Sequence, residues 1–385
     1  MKIVASAAKV LRAPTRFSLA GCLSGLECQG REFLAECLAY RFPFEGLASD
    51  ARVCDSPTPL YAPVGWFDTR GGADNPQQMI NPRFARQIIR NYGFERTKIF
   101  RSKLRRILNS FLDPVQDVEV VRGLRLRLDM EIDRQNFVFW HYEEEEPQLQ
   151  WVIRNLLPVR GTMVDCGANF GVFGMLALHH RAANVHFIEP HPRLAETCRQ
   201  QIALNFYGSR AKVHEVAASS AEGEARFYLN PGRNDGTHSL EATPGQKRDF
   251  ILVKRQRLDA LLAQQGVQHV DLMKIDAEGH DYEVLEGMGN WIDPAKIDCF
   301  FVEMAHGTHQ KVFDLLSSRG YVPYASKRMY IDEMRKEYRS GNLSPYFSRA
   351  TDANGMNYLW CGKDSVYDQF MAQVVQYQPA QKGVS

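Results

Sequence analysis

The stretch that most constrains this chain is MVDCGANFGVFGMLAL, Met163 to Leu178. Residues 163–166 have strand character, Gly167 and Gly171 mark a turn, and a run of apolar residues then continues as a helix. A strand, a glycine turn and a helix in that order make the first half of a βαβ unit. Such a unit presents its turn to a ligand at the C-terminal edge of a parallel sheet. Met163, Val164 and Cys166 put apolar residues on both faces of the strand, as in a sheet covered on both sides.

Short apolar strands alternate with helices for the rest of the chain. The spacing predicts strands over 163–166, 185–188, 213–216, 272–275 and 299–302, with later ones over 321–324 and 357–361. Helices are predicted over 172–179, 194–206, 258–264, 282–287 and 308–319, and residues 225–229 are assigned to an extra hairpin. This is the α/β class, a doubly wound, mostly parallel sheet with helices on both faces. Upstream, DVEVVRGLRLRLDM alternates around Arg122-Gly123 and predicts a β-hairpin. EEEEPQLQWVIRNLL reads as a helix whose acids sit in its first turn, where the helix dipole favours negative charge. Residues 1–115 differ. Apolar positions at three- and four-residue spacing in 31–40 and 83–112, around a Pro- and Gly-rich loop, predict an N-terminal, mostly helical accessory region. The division is therefore 1–115 and 116–385.

Bulk properties exclude several classes. Of 385 residues, 44% are hydrophobic and 24% charged, ordinary for a chain with a full core. Lys and Arg total 47 against 45 for Asp and Glu, so no nucleic-acid partner is expected. The basic run Arg101–Arg106 reads as a solvated helical face. The eight cysteines form no CxxC pair, and Cys166 and Cys299 sit in apolar runs, so reduced thiols and a cytoplasmic location are expected. SLAGC, ending at Cys22, resembles a lipid-attachment box, but Lys9, Arg12, Pro14 and Arg16 interrupt the apolar segment that a signal peptide needs. No apolar run approaches the roughly 20 residues of a membrane span.

The turn 165–171 reads D-x-G-x-x-x-G, whereas a pyrophosphate-binding fingerprint reads G-x-G-x-x-G. Asn169 stands where the middle glycine would be needed. The spacing suits an adenosine ligand without a pyrophosphate, and S-adenosylmethionine is one. Gly167 and Gly171 would let backbone approach it, and Asp165 could take the ammonium of its amino-acid tail. VHFIEPHP ends a second strand at Glu189, where a carboxylate can accept from both ribose hydroxyls. Ala217, after the third strand, offers a small apolar surface for adenine, and ordinary core packing would explain it as well. The second motif is DLMKIDAEGHDYEVLEG, where Lys274 precedes Asp276, Glu278 and His280. Lysine and aspartate are rarely buried unless paired, so this group reads as functional. Asp276 is the first candidate for a base that removes a hydroxyl proton, followed by Glu278 and His280, with Lys274 holding the acid ionised.

VDCGANFGVFG, FIEPHPRLAETCRQQIALN, RLDALL, DLMKIDAEGHDYEVLEG and CFFVEM together resemble the FkbM family of S-adenosylmethionine-dependent methyltransferases, over about 120–305. The resemblance implies the class I methyltransferase fold, a Rossmann-like seven-stranded sheet with its last strand antiparallel. It also implies O-methylation of a hydroxyl on a sugar, glycan or other natural product. Family members usually carry Val at the position of Cys166 and Ala at that of His280, so no base role for His280 is implied. By analogy with YE segments before the first family strand, Glu143 is a candidate contact for the cofactor tail. Glu303, His306 and His309 with Asp276 would have the chemistry of a divalent site, but histidines in a polar loop explain themselves, and no metal is expected. Asn234, Thr237 and Ser239 could line an acceptor pocket or form a turn. Two other readings stay open: an idle nucleotide-binding module that docks a partner enzyme, and an NAD(P)-dependent oxidoreductase, which the absent middle glycine disfavours.

Overall fold

The computed structural model describes isolated positions from Pro82 to Ser110 and, over 112–377, all residues except 181, 183, 231–237, 241–248, 305–307, 327–346, 352 and 354–356. They belong to one compact unit, Asp68–Ser385. Most of the expected N-terminal helical region lies outside the described residues. Among those described there, Pro82, Ala85, Arg86, Arg105 and 107–109 are helical. Arg105 lies 3.0 Å from the buried His141 ring, so that member of the basic run does not serve as a simple solvated face.

β1 (Val115–Val121) and β2 (Leu124–Asp129) form the hairpin about Arg122-Gly123. Gly123 has φ +84°, which the tight turn requires. α1 (Asp133–His141), a 3-10 turn (Tyr142–Glu144) and α2 (Pro147–Asn155) follow. The alternating part then runs β3 (Thr162–Cys166), α3 (Val172–His179), β4 (Asn184–Ile188), α4 (Pro192–Leu204) and β5 (Ala211–His214). A small insertion holds β6 (Ala217–Ala218), β7 (Gly223–Tyr228) and β8 (Phe250–Gln256). α5 (Leu258–Gln264), β9 (Val270–Ile275), α6 (Asp281–Glu286), β10 (Ile297–Glu303) and α7 (His309–Ser318) complete the crossovers. β11 (Tyr321–Ser326), β12 (Phe347–Arg349), β13 (Asn357–Gly362) and α8 (Val366–Tyr377) close the chain.

The main sheet has the order β12-β11-β13-β10-β9-β3-β4-β5. β5, β4, β3, β9 and β10 are parallel, and β13 is antiparallel to both β10 and β11. These are the seven strands of the expected class I arrangement, and β12 adds an eighth at the edge. The order reverses at β3, with β4 on one side and β9 on the other, so the ligand crevice belongs above the C-terminal ends of these three strands. Among the described residues no helix is long and apolar enough to cross a membrane.

Three sequence expectations need correction. The third parallel strand is Ala211–His214 rather than 213–216. Its pairing with β4 ends at His214, and Ala217–Ala218 cross to a separate three-stranded sheet, β6-β8-β7. β8, the partner of the expected hairpin strand, was not foreseen. The Glu run does not open a helix: Glu143 and Glu144 lie in the 3-10 turn, Glu146 is left-handed at φ +37°, and α2 starts at Pro147.

Two side-chain amides dock the hairpin on the sheet domain. Gln201 donates to Arg127 O and accepts from Arg127 N–H, both at 2.8 Å, and Asn205 does the same to Arg125 at 2.7 and 3.0 Å. Each amide copies a peptide group, so the free edge of β2 is capped by α4 rather than by another strand.

α3 packs on β4 through a glycine missed in the motif. A Cβ on Gly174 would lie 2.2 Å from the Phe187 ring. Gly174→Ala is expected to cost about 1–3 kcal/mol by overpacking, read by urea unfolding. Gly208→Ala, with nothing within 4 Å of the added carbon, should stay within about 0.5 kcal/mol of the parent.

Candidate active site

The loop after β3 is held from two sides. Gly167 and Ala168 both donate to Ile188 O, at 3.0 and 3.1 Å, which ties the loop to the end of β4. On the other side a Cβ on Gly167 would fall 1.8 Å from the carbonyl oxygen of Asp276. Gly167 is therefore dictated first by the β9 backbone, and its φ of +72° is equally closed to side chains. An open cleft lies above, between the ends of β4 and β9.

The electrostatics centre on Lys274. It faces Asp165 in the β3–β9 register and is 3% exposed. Its Nζ donates to Gly167 O at 2.8 Å and lies 3.1 Å from Asp276 Oδ2 and 3.6 Å from Asp165 Oδ1. Burial opposes its charge, but Asp276, Asp165 and Glu146 outweigh that and raise its pKa. Asp165 is fully buried, and its Oδ2 accepts from Gly174 N–H at 2.8 Å. Burial raises its pKa against the pull of Lys274.

Around Asp276 the acids divide. Burial works against its ionisation, yet Lys274, a hydrogen bond from Glu303 and Arg134 hold its pKa below the ordinary carboxyl range. Glu303 is pushed up to about 9, first by the Asp276 charge and then by burial, so it keeps its proton and donates to Asp276. Glu146 is raised to about 7 and Glu278 to about 8, chiefly by burial and the same neighbouring charge. Oxygens of Glu146, Asp276 and Glu303 all lie within 4.8 Å of one another. Three oxygen donors so placed could take a divalent cation. Behind them Arg134 pairs with the buried Glu145 and reaches Glu146 at 3.5 Å. A second such group, His269, Asp271 and Asp298, lies at the opposite, N-terminal ends of β9 and β10.

Glu189 ends β4 at 4% exposure. Its Oε2 accepts from Asn169 N–H at 2.8 Å and its Oε1 from His191 N–H at 2.9 Å. Burial pushes its pKa up to about 8, against those two N–H groups.

Of the sequence candidates, Gly167, Asn169, Glu189, Ala217, Asp276, Glu278 and His280 line the cleft. Asp165, Gly171 and Lys274 are not lining residues; Lys274 braces the lining residues Gly167 and Asp276, with Asp165 beside it. Glu143 is not among the lining residues either. The acid from its segment that reaches Asp276 is Glu146, which sequence reasoning passed over. The chain signal for it was the Pro147 that stops a helix from absorbing the Glu run. His280 turns its Nε2 to Ser219 Oγ at 3.0 Å. Ser239 donates to Glu278 O at 2.7 Å, whereas Asn234, Thr237 and His306 lie outside the described residues. His309 contacts Met304 O and takes no part in the acidic group. Phe227, His238 and Leu240, from the insertion, also line the cleft and were not anticipated.

Residues 165–323 match the family described as methyltransferase FkbM domain. The chain carries an FkbM methyltransferase domain. It is 30% identical over 162 residues to the hexuronic acid methyltransferase AglP of Haloferax volcanii, covering 40% of this chain and 60% of that one. It is 27% identical over 139 residues to the 2-O-methyltransferase NoeI of Sinorhizobium fredii, covering 32% and 56%. The chain thus spans under two thirds of the length of these curated relatives. The crystal structure of methyltransferase FkbM from Methylobacillus flagellatus aligns with a TM-score of 0.34 at 15% identity, covering 74% of this chain and 62% of that one. The fold assignment rests on strand order, not on that superposition.

Lys274→Met leaves Asp165 and Asp276 buried without their cation. Losing one partner of a buried pair should cost about 3–5 kcal/mol, read by denaturant unfolding at pH 7. Because protonated carboxyls remove the uncompensated charge, the deficit should shrink at pH 5.

Proposed function

We propose that this chain transfers a methyl group from S-adenosylmethionine to a hydroxyl of a sugar, glycan or other natural product. One observation carries the reading: a single cleft pairs a buried acid at the end of β4, Glu189, with an ionised acid at the end of β9, Asp276. Each Glu189 oxygen accepts one backbone N–H and keeps lone-pair capacity for a ribose hydroxyl. Gly167, Asn169 and Gly171 shape the loop beside the amino-acid tail, with Asp165 and Lys274 bracing it from behind. Ala217 suits a flat base. A sugar or polyol acceptor is favoured because one relative is named for a hexuronic acid and another for a 2-O position.

Bound S-adenosylmethionine supplies a methyl carbon already activated by a positive sulfur. What remains for the protein is alignment, worth roughly 7–11 kcal/mol when well made, and removal of the hydroxyl proton. Asp276 takes that proton at its carboxylate. Lys274 and the Glu303 proton keep it ionised and fix its direction. Glu278 and His280 line the same cleft.

Calorimetry with S-adenosylhomocysteine and NADH separates this reading from an oxidoreductase, which would take only the latter. Mass analysis of a glycan panel then reads transfer. Asp276→Asn should lower the rate about 10²–10⁴-fold and leave the homocysteine Kd within about threefold. Binding without transfer, unchanged by that substitution, would identify an idle module instead.

Uptake of the nucleoside should also release protons. Free Glu189, at about 8, holds a proton at pH 7, and hydroxyl donors favour its ionised form and lower that pKa. Calorimetry in phosphate and Tris should therefore differ at pH 7 and agree above about pH 9. Glu189→Gln should remove the difference.

A further inference from the structure

The cleft has two ends. Asp276, Ala277 and Glu278 stand on the β9 side, and Glu189, Pro190 and Leu194 on the β4 side. Under the nucleoside reading just given, on which this inference rests, Glu189 meets the ribose, so the base extends away from β9 and beyond Glu189. His238, carried by the insertion rather than by the main sheet, lines the cleft and stacks on His191, two residues after Glu189.

We propose that His238 is the stacking wall for the adenine ring of the bound nucleoside. His238 lines the cleft and His191 does not, yet the two rings stack at 5.2 Å with 24° between their planes. His191 therefore backs the His238 ring from behind. Phe227, also a lining residue, meets the ring edge-on at 6.1 Å and 67°. Asn230 N–H donates to His238 Nδ1 at 2.9 Å, which puts the ring proton on Nε2 and leaves the imidazole neutral. A neutral aromatic plane held on three sides offers a π-face with little rotational freedom left to lose.

The backbone is fixed as firmly. Tyr228 and Ser239 exchange both N–H···O bonds, at 2.8 and 3.2 Å, so the segment re-joins β7 immediately after His238. Ser239 Oγ donates to Glu278 O at 2.7 Å. Ser239, next to His238, is thus latched to the loop that carries Asp276 and Glu278. Base–aromatic stacking is tolerant of which aromatic supplies the plane, so a phenyl ring should replace the imidazole.

Calorimetry on the full chain with S-adenosylhomocysteine, and separately with adenosine, tests this. His238→Ala should weaken both ligands by the same factor, roughly 5- to 100-fold. His238→Phe should stay within about threefold of the parent, which a collapsed insertion would not allow. Unchanged binding by His238→Ala, or equal loss in His238→Phe with both variants melting like the parent, overturns the stacking wall alone. A parent protein that binds neither ligand overturns the nucleoside reading and this proposal with it.

Discussion

A buried lysine organises everything above the sheet. Lys274 spends its ammonium on the Gly167 carbonyl, Asp276 and Asp165, and so joins β9, β3 and the glycine loop at one point. Buried ion pairs add little net stability relative to apolar packing, so the value of this one lies in geometry. A methionine of similar length would pack in the strand but would not hold the loop. The Asp276 carbonyl pressed against Gly167 supplies a second lock between the same two segments. The glycine loop and Asp276 are thereby tied to each other.

The same cation explains how so many acids tolerate one another. Glu146, Glu278 and Glu303 crowd Asp276, and only one charge is affordable beside one lysine in a poorly solvated place. Asp276 holds it because Lys274 and the Glu303 proton both point at it. The other acids are pushed toward neutrality, Glu303 and Glu278 further than Glu146. That turns a cluster which looks strongly anionic on paper into a more nearly neutral polar surface.

The parallel sheet was legible because β3, β4, β9 and β10 are short apolar runs that leave no alternative to burial on both faces. Gly167, Glu189 and Asp276 were legible for a related reason. They interrupt those runs at their ends, where a polar or glycine residue has no packing role. Glu146 was not, since a Glu run before a helix has an adequate local explanation in the dipole. Only the left-handed turn at Glu146 and the Arg134–Glu145 pair direct it inward. The β6–β8–β7 insertion was half visible. β7 alternates, but β8 carries Phe250 and Leu252 on its exposed side, which blurs its period of two.

The chain alone determined the order of strands and helices, the edge of the sheet at which the cleft opens, and the acids that end the first, second and fourth parallel strands. Those follow from local periodicity and from residues that break it. Which carboxyl is ionised, that Gly167 answers to a neighbouring backbone, and that His238 meets the cleft were decided by tertiary structure. Each depends on groups far apart in sequence coming within a few ångströms, where charge, exclusion and stacking are settled by distance and not by order along the chain.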